Sequence, residues 1–352
     1  MTMLHVVGAK IWGGGEQYVY DMCDELQRRQ ISSFVLIDRS NIEFCERFNL
    51  VSNVVTANLY SVKGFSSIIS IVDCIKKNNI TTIHCHSGKY ILLCLALKKL
   101  THVKLIFYKH NVIAAKTDVY HNWIQSNVDA FICVSKLVYE AQCIDKYRDK
   151  FHLVYNGVNT NRFLKKSRKV ADNKYFTIGY AGRIIDNKGI FELIEAVRFL
   201  HNEGYPVYLT ICGVIANQAV QTKLERYIES YQTYMQYIGF QEDMNSFYRS
   251  LDCLVAPSKV SEAFGLVLCE AMYCQIPVIA SRSGAQGEII EHDQSGILLN
   301  TITAEQIAFA IKTLLDNHEY YHKLSQNGYN RVKSKFTTEV MVDSILRVLE
   351  SL

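Results

Sequence analysis

The sequence predicts an α/β protein of two doubly wound domains, each a parallel sheet covered by helices. Three observations carry this. Short apolar, β-rich runs alternate with longer helical patterns almost throughout the chain. The runs are continuously apolar rather than alternating, as expected of strands buried on both faces. They fall into two series, separated by a polar and basic stretch at 159–173 that lacks the apolar periodicity of its neighbours.

The first series has strand candidates at Leu4–Val7, Phe34–Ile37, Thr82–His86, Leu105–Tyr108 and Ala130–Val134. The first helix between them is legible from Val19, Met22, Cys23 and Leu26, spaced i, i+3, i+4 and i+7, with Asp21, Asp24, Glu25 and Arg28 elsewhere around it. The second series runs Thr177–Ala181, Val207–Cys212, Tyr237–Phe240, Cys253–Ala256 and Val278–Ala280. These series give domains at 1–163 and 164–337. A last helix at 338–352, with Val340, Ile345, Val348 and Leu349 as its buried stripe, is expected to pack back on the first domain.

The composition narrows the class. A chain of 352 residues with 49% hydrophobic and 20% charged side chains fills a core and is not a disordered one. The net charge of +4 permits a basic face without demanding nucleic acid, and no nucleic-acid partner is expected. Basic clusters at Arg28-Arg29, Lys76-Lys77, Lys98-Lys99, Lys165-Lys166 and Arg168-Lys169 read either as solvated ends or as attraction to an anionic membrane or a pyrophosphate-bearing acceptor. Of eleven cysteines, Cys85, Cys133, Cys212 and Cys253 sit inside apolar strand-like runs, and no C-x-x-C occurs. Buried free thiols in a reducing cytoplasm fit that pattern. The start of the chain enters a strand without a signal-peptide pattern. The longest apolar stretch, Tyr90 to Leu97, is too short to span a bilayer, so contact with the inner membrane is expected to be peripheral.

The strongest chemical signal runs from Ser261 to Met272. A strand and the turn Pro257-Ser258 feed a loop holding Glu262, Ala263 and Phe264, and a helix opens near Gly265 and Leu266. Backbone N–H groups at a helix start suit a diphosphate, and Gly265 allows close approach of a ligand. Glu270, over one turn into that helix, offers two carboxylate oxygens to the hydroxyls of a ribose. A second signal follows the strand Thr177–Ala181: Gly182, Arg183 and Lys188 occupy the loop at its carboxyl end, where open α/β sheets bind ligands. Arg183 can clamp phosphate oxygens through its planar fork, and Lys188 adds a point charge against a departing diphosphate.

In the first half, Gly13, Gly14, Gly15 and Glu16 join the first strand to the first helix; with Tyr18 at the position of the last glycine, the run is no G-x-G-x-x-G fingerprint. His110 follows the strand Leu105–Tyr108. His84 and His86 share one strand face at i, i+2; with no third ligand evident, a cleft-wall or structural role is favoured over a metal pair, His86 facing an acceptor. Ser135 either belongs to the site or caps the next helix.

Glu262 and Glu270 resemble the Glu-x7-Glu motif of the family 4 retaining glycosyltransferases. Further motifs match in order along nearly the whole chain: Gly13-Gly14-Gly15-Glu16, Tyr155 to Asn159, Gly182 to Gly189, Pro277 to Ser281 and Gly284 to Glu288. The resemblance implies the GT-B fold, two Rossmann-like domains facing a central cleft, and transfer of a sugar from a nucleoside diphosphate, UDP favoured, to a hydroxyl of a glycan or lipid-linked acceptor in a bacterial surface-polysaccharide pathway. It implies a catalytic set of His110, Arg183, Lys188 and Glu262. It implies donor contacts from Gly14, Gly15, Gly182, Arg183, Lys188, Glu262, Ala263, Phe264, Gly265, Leu266 and Glu270, and acceptor contacts from Gly13, Glu16 and His86. No Asp-x-Asp occurs, so neither a metal nor another cofactor is expected. The competing reading is a non-catalytic subunit of the same fold that stabilises a partner transferase.

Overall fold

A computed structural model describes residues 1–59, 67–163 and 174–352. It divides into two compact units, one formed by Met1–Gly157 with Thr338–Leu352 and the other by Val158–Thr337. The first therefore ends at Gly157, six residues before the expected 163. The reason is local: the Val158 N–H donates to the Phe336 carbonyl at 2.8 Å, and Phe163 packs on Tyr248, so both residues are tied to the second unit. The basic residues 165–169 lie outside the described residues.

The first unit carries strands β1 (Met3–Val6), β2 (Ser33–Asp38), β3 (Asn53–Ala57), β4 (Thr82–Cys85), β5 (Lys104–Lys109), β6 (Ala130–Cys133) and β7 (Phe151–Leu153). They form a parallel sheet in the order β3-β2-β1-β4-β5-β6-β7. Helices α1 (Gly14–Arg28), α2 (Ile42–Phe48), α3 (Ile68–Lys77), α4 (Ile91–Thr101), α5 (Val119–Asn127) and α6 (Lys136–Gln142) lie between strands. Ser135 caps α6, accepting from the Val138 N–H at 3.2 Å.

In the second unit β8 (Phe176–Ala181), β9 (Val207–Cys212), β10 (Met235–Tyr237), β11 (Cys253–Ala256), β12 (Val278–Ser281) and β13 (Ile297–Leu299) form a parallel sheet in the order β10-β9-β8-β11-β12-β13. Its helices are α7 (Ile190–Asn202), α8 (Gln218–Tyr231), α9 (Met244–Arg249), α10 (Leu266–Tyr273), α11 (Gln286–Ile289), α12 (Ala304–Asp316) and α13 (His318–Lys335). The strand expected at Tyr237–Phe240 is displaced toward Met235, because Gly239 turns the chain at φ +73° and leaves Phe240 exposed.

The last helix, α14 (Thr338–Glu350), returns to the first unit and packs on α1. Met341, Val342, Ile345, Val348 and Leu349 join Tyr18, Val19, Met22 and Leu26 in one core. Each such aliphatic side chain contributes about 1.5–3 kcal/mol on burial. Val340, expected in that stripe, is only half-buried, and Met341 and Val342 take its place. The same packing buries Asp21 and Glu25 of α1, which the helical pattern placed away from the apolar stripe. Their carboxylates are satisfied by Gln17 and by Arg29, which also reaches the Glu339 carbonyl.

Each sheet reverses its winding beside its first strand, between β1 and β4 and between β8 and β11. The loops leaving those strands cannot close over one another, so each reversal leaves a crevice at the carboxyl ends, where ligands bind in this class of sheet.

Candidate active site

In the second unit, β8 runs into Gly182 at φ +146°, then exposed Arg183, a short 3-10 turn at Asp186–Lys188, and Gly189 at φ +72°. This loop is pressed onto the one leaving β11. A Cβ on Gly189 would stand 2.0 Å from the Pro257 carbonyl oxygen, and the Lys259 N–H donates to the Asn187 carbonyl at 2.9 Å. The close approach sets Lys188 Nζ on Glu262 Oε1 as an ion pair. Arg183 has no carboxylate partner among the described residues, and its carbonyl accepts from the Tyr180 hydroxyl at 3.0 Å. Burial, then the Glu262 carboxylate, push the Tyr180 hydroxyl up, and Arg183 opposes them. Arg183 and Glu262 therefore act on the same spot.

The Glu262 backbone is held from its other side. Gly284, at φ +65°, lies so close that a Cβ there would stand 2.3 Å from the Glu262 nitrogen, and the Ala285 N–H donates to the Glu262 carbonyl at 2.9 Å. Next along the loop, Ala263 is half-buried, while Phe264 is buried edge-on against Phe336. Gly265 takes φ +137°, open to glycine and not to a side chain, and α10 begins at half-buried Leu266. Glu270 is buried within α10, and its Oε2 accepts from the Tyr248 hydroxyl at 2.6 Å. Burial raises its carboxyl, while the Tyr248 hydrogen bond and the charge of Arg162 hold it down. The Tyr248 hydroxyl thus engages one carboxylate oxygen, and no hydrogen bond reaches the other among the described residues. That narrows the expectation of two free acceptor oxygens.

In the first unit, a cavity of 170 Å³ opens at the β1–β4 reversal. It is lined by Gly15, Glu16, His86, Ser87 and His110 with Val7, Gly8, Ala9 and Val19, so four of the sequence-predicted residues share one wall. Gly13 and Gly14 do not line it; they are exposed at the start of α1, with Gly13 as its N-cap. Burial raises the Glu16 carboxyl, opposed by its hydrogen bonds to the backbone of Glu16 and Gly13. His110 is pushed down to about 4 by burial. His86 is pushed well down by burial first and then by His5, His110 and His84. His84 does not reach the cavity; it bonds Tyr108 at 2.8 Å and Thr82 at 3.0 Å. Where the sequence offered no third imidazole, the structure supplies His5 on β1, 3.2 Å from His86. Among the described residues, no three His, Cys, Asp or Glu side chains converge as metal ligands.

Residues 12–162 match the model of glycosyltransferase family 4, and residues 161–331 that of the glycosyl transferases group 1. The chain belongs to the family 4 glycosyltransferases. This glycosyltransferase is 26% identical over 322 residues to the uncharacterized glycosyltransferase MJ1178 of Methanocaldococcus jannaschii, covering 86% of this chain and 87% of that protein. It is 26% identical over 196 residues to the capsular polysaccharide biosynthesis glycosyltransferase CapM of Staphylococcus aureus, covering 54% of this chain and about half, 51%, of that protein. Its fold matches Anabaena HepE, solved with UDP and glucose, at a TM-score of 0.80 and 18% identity over 99% of both chains. Its two parallel-sheet units are those of the GT-B fold.

Several residues of this glycosyltransferase's candidate site escaped the sequence reading. Tyr248 carries no motif, and Gly284 stands out only as part of the run Gly284 to Glu288. His5 sat in an apolar run. A polar residue inside an otherwise apolar strand was the available signal for His5. For Tyr248 there was none, because its partner stands 22 positions away. Among the described residues, no helix is long and apolar enough to cross a membrane.

Proposed function

We propose that the protein transfers a sugar, with retention of anomeric configuration, from a UDP-sugar to a hydroxyl of a glycan or lipid-linked acceptor. The observation that carries this is the convergence of Arg183, the Lys188–Glu262 pair and the start of α10 at the β8–β11 reversal. Departure of a nucleoside diphosphate builds negative charge on the phosphates. Arg183, Lys188 and the first N–H groups of α10 supply the opposing field, so no divalent metal is needed. Glu270 anchors the ribose through its remaining oxygen, and Glu262 meets the sugar. The second unit binds the nucleotide, and the first offers the acceptor the wall of Glu16 and His86.

UDP as the nucleotide is supported by its presence in the HepE structure, whose fold this chain shares. A surface-polysaccharide role is supported by the likeness to a capsule-biosynthesis transferase, and the cytoplasmic face of the inner membrane is the setting that this reading implies. In the front-face reaction that fits, the leaving phosphate takes the acceptor proton and His110 orients the donor sugar. No carboxylate nucleophile is assigned.

The test is calorimetric binding of UDP, GDP and ADP to the purified chain, followed by UDP release from UDP-sugars with and without a chelator. Tight UDP binding and chelator-resistant turnover are expected. Full activity in both Arg183→Ala and Glu270→Ala would sink the reading, and binding without any turnover would favour the non-catalytic subunit.

A further inference from the structure

The core of the first unit holds more imidazoles than a sheet needs. His5 on β1 stands in register with His84 on β4, and His86 and His110 follow the ends of β4 and β5. Three of these rings form a chain. His5 Nδ1 lies 3.2 Å from His86 Nε2, and His86 Nδ1 lies 3.3 Å from His110 Nε2. The rings are clamped: His86 stacks on Tyr108 at 4.2 Å between centroids, and His110 meets Tyr18 edge-on at 5.0 Å. The chain has one wet end and one dry end. His110 lines the cavity, while His5 Nε2 is enclosed with no hydrogen-bond partner among the described residues.

Burial pushes His5 down to about 3 and His110 to about 4, and His86 falls well below its usual value as well. At neutral pH each ring then carries a single proton. His86 makes two ring-to-ring bonds with that one proton, so it donates in one and accepts in the other. Only two arrangements of the chain satisfy both bonds. In the first, every ring is protonated on Nε2, and the His5 Nε2–H is a donor buried with nothing to bond. In the second, every ring is protonated on Nδ1, and His5 buries only a bare lone pair. Among buried backbone groups an orphaned N–H is rarer than an under-satisfied acceptor, and the same order applied to the imidazole favours the second arrangement.

We propose that His5 and His86 are positioning residues that lock His110 in its Nδ1–H tautomer, so that His110 gives a ligand in the cavity a hydrogen-bond donor and not a base. Nδ1 is the ring nitrogen that the chain leaves over. A donor there suits a sugar hydroxyl or a phosphate oxygen, and proton abstraction from the acceptor is left to another group. The proposal deepens the reading of His110 as a donor-sugar contact and rests on it only for the identity of the ligand.

The test is a long-range proton–nitrogen correlation spectrum of the full chain with nitrogen-15 histidine, recorded near neutral pH without substrate. His5, His86 and His110 are each expected to show a protonated Nδ1 and a bare Nε2. A protonated Nε2 on His110 would overturn the proposal. His86→Phe keeps a ring on Tyr108 but removes both bonds of the chain, and should leave His110 exchanging between its two tautomers. If His110 stays purely Nδ1–H in that variant, the chain does not set it and the proposal falls. The wild-type spectrum decides by itself should the variant not fold. Adding UDP-glucose should then shift the His110 Nδ1 resonance. An unmoved resonance would overturn the donor-sugar reading while the tautomer lock stands.

Discussion

Lys188 and Glu262, 74 positions apart, form an ion pair that joins the loop leaving β8 to the loop entering α10. Two groups that the sequence marked independently are thus one unit. Replacing either should do more than remove its own contact with the donor. Lys188→Ala leaves an uncompensated carboxylate where the proposed reaction brings the diphosphate, and kcat/KM should fall by about tenfold or more. Glu262→Gln should lower kcat more than it weakens UDP binding. In the double variant the losses should fall short of additive, since each single change already breaks the shared pair. A double-mutant cycle on kcat/KM checks this, and strict additivity would contradict it.

Glu270 depends on Tyr248, whose hydroxyl donates to it at 2.6 Å. Hydrogen bonds to charged groups contribute about 1.5–3 kcal/mol, so Glu270→Gln should raise the UDP Kd by roughly tenfold to a hundredfold. The carboxyl is raised by burial, and the Tyr248 bond restrains the rise. UDP binding should therefore weaken as pH falls through that raised value, because the protonated acid accepts poorly. Tyr248→Phe should move the loss to higher pH. Calorimetric titrations of UDP across pH test it; an unchanged midpoint in the variant would refute the coupling.

Gly284 is set by space and by backbone. At φ +65°, and with room for a Cβ only 2.3 Å from the Glu262 nitrogen, Gly284→Ala must displace the Glu262 loop. The expected cost is about 1 kcal/mol or more in stability, with a larger loss in turnover. Gly14→Ala is the contrast, since a Cβ there meets nothing within 4 Å. Thermal unfolding and steady-state rates of the two variants test this.

Four histidines of the first unit, His5 and His84 buried and His86 and His110 half-buried at the cavity, predict acid sensitivity. His5, His84, His86 and His110 all titrate below the ordinary 6.5 in the folded chain. Between 6.5 and those lowered values the unfolded chain binds more protons, so stability falls as pH drops through that window. Each histidine contributes up to about 1.4 kcal/mol per pH unit there. Denaturant midpoints measured from pH 7 to pH 5 should fall, and more gently in a variant lacking His84, such as His84→Phe. A flat profile would contradict the burial of these rings.

Most strands and the order of motifs were legible because both are local. A continuously apolar run buried on both faces announces itself, as Ala130–Val134 did for β6. The strands that escaped were β3 and β7, whose partly polar edges face out, and β13, with only the buried Ile297–Leu299 to announce it. Asp21 and Glu25 were misread for a different reason. Their helix is covered twice, by the sheet and by α14, and a single apolar stripe reports only one covering.

The same division holds for the candidate site. The sequence by itself determined that Gly182 to Lys188 and Glu262 to Glu270 stand at the carboxyl ends of strands, because strand, loop and helix succeed one another in the chain. Only the tertiary structure decided that Lys188 meets Glu262, that Tyr248 takes one oxygen of Glu270, and that His5 joins His86 and His110. Those pairings depend on the strand order, on registers such as His5 beside His84, and on glycines that let loops touch. None of these is encoded within reach of either partner, and each follows only when the sheet closes its distant segments into contact.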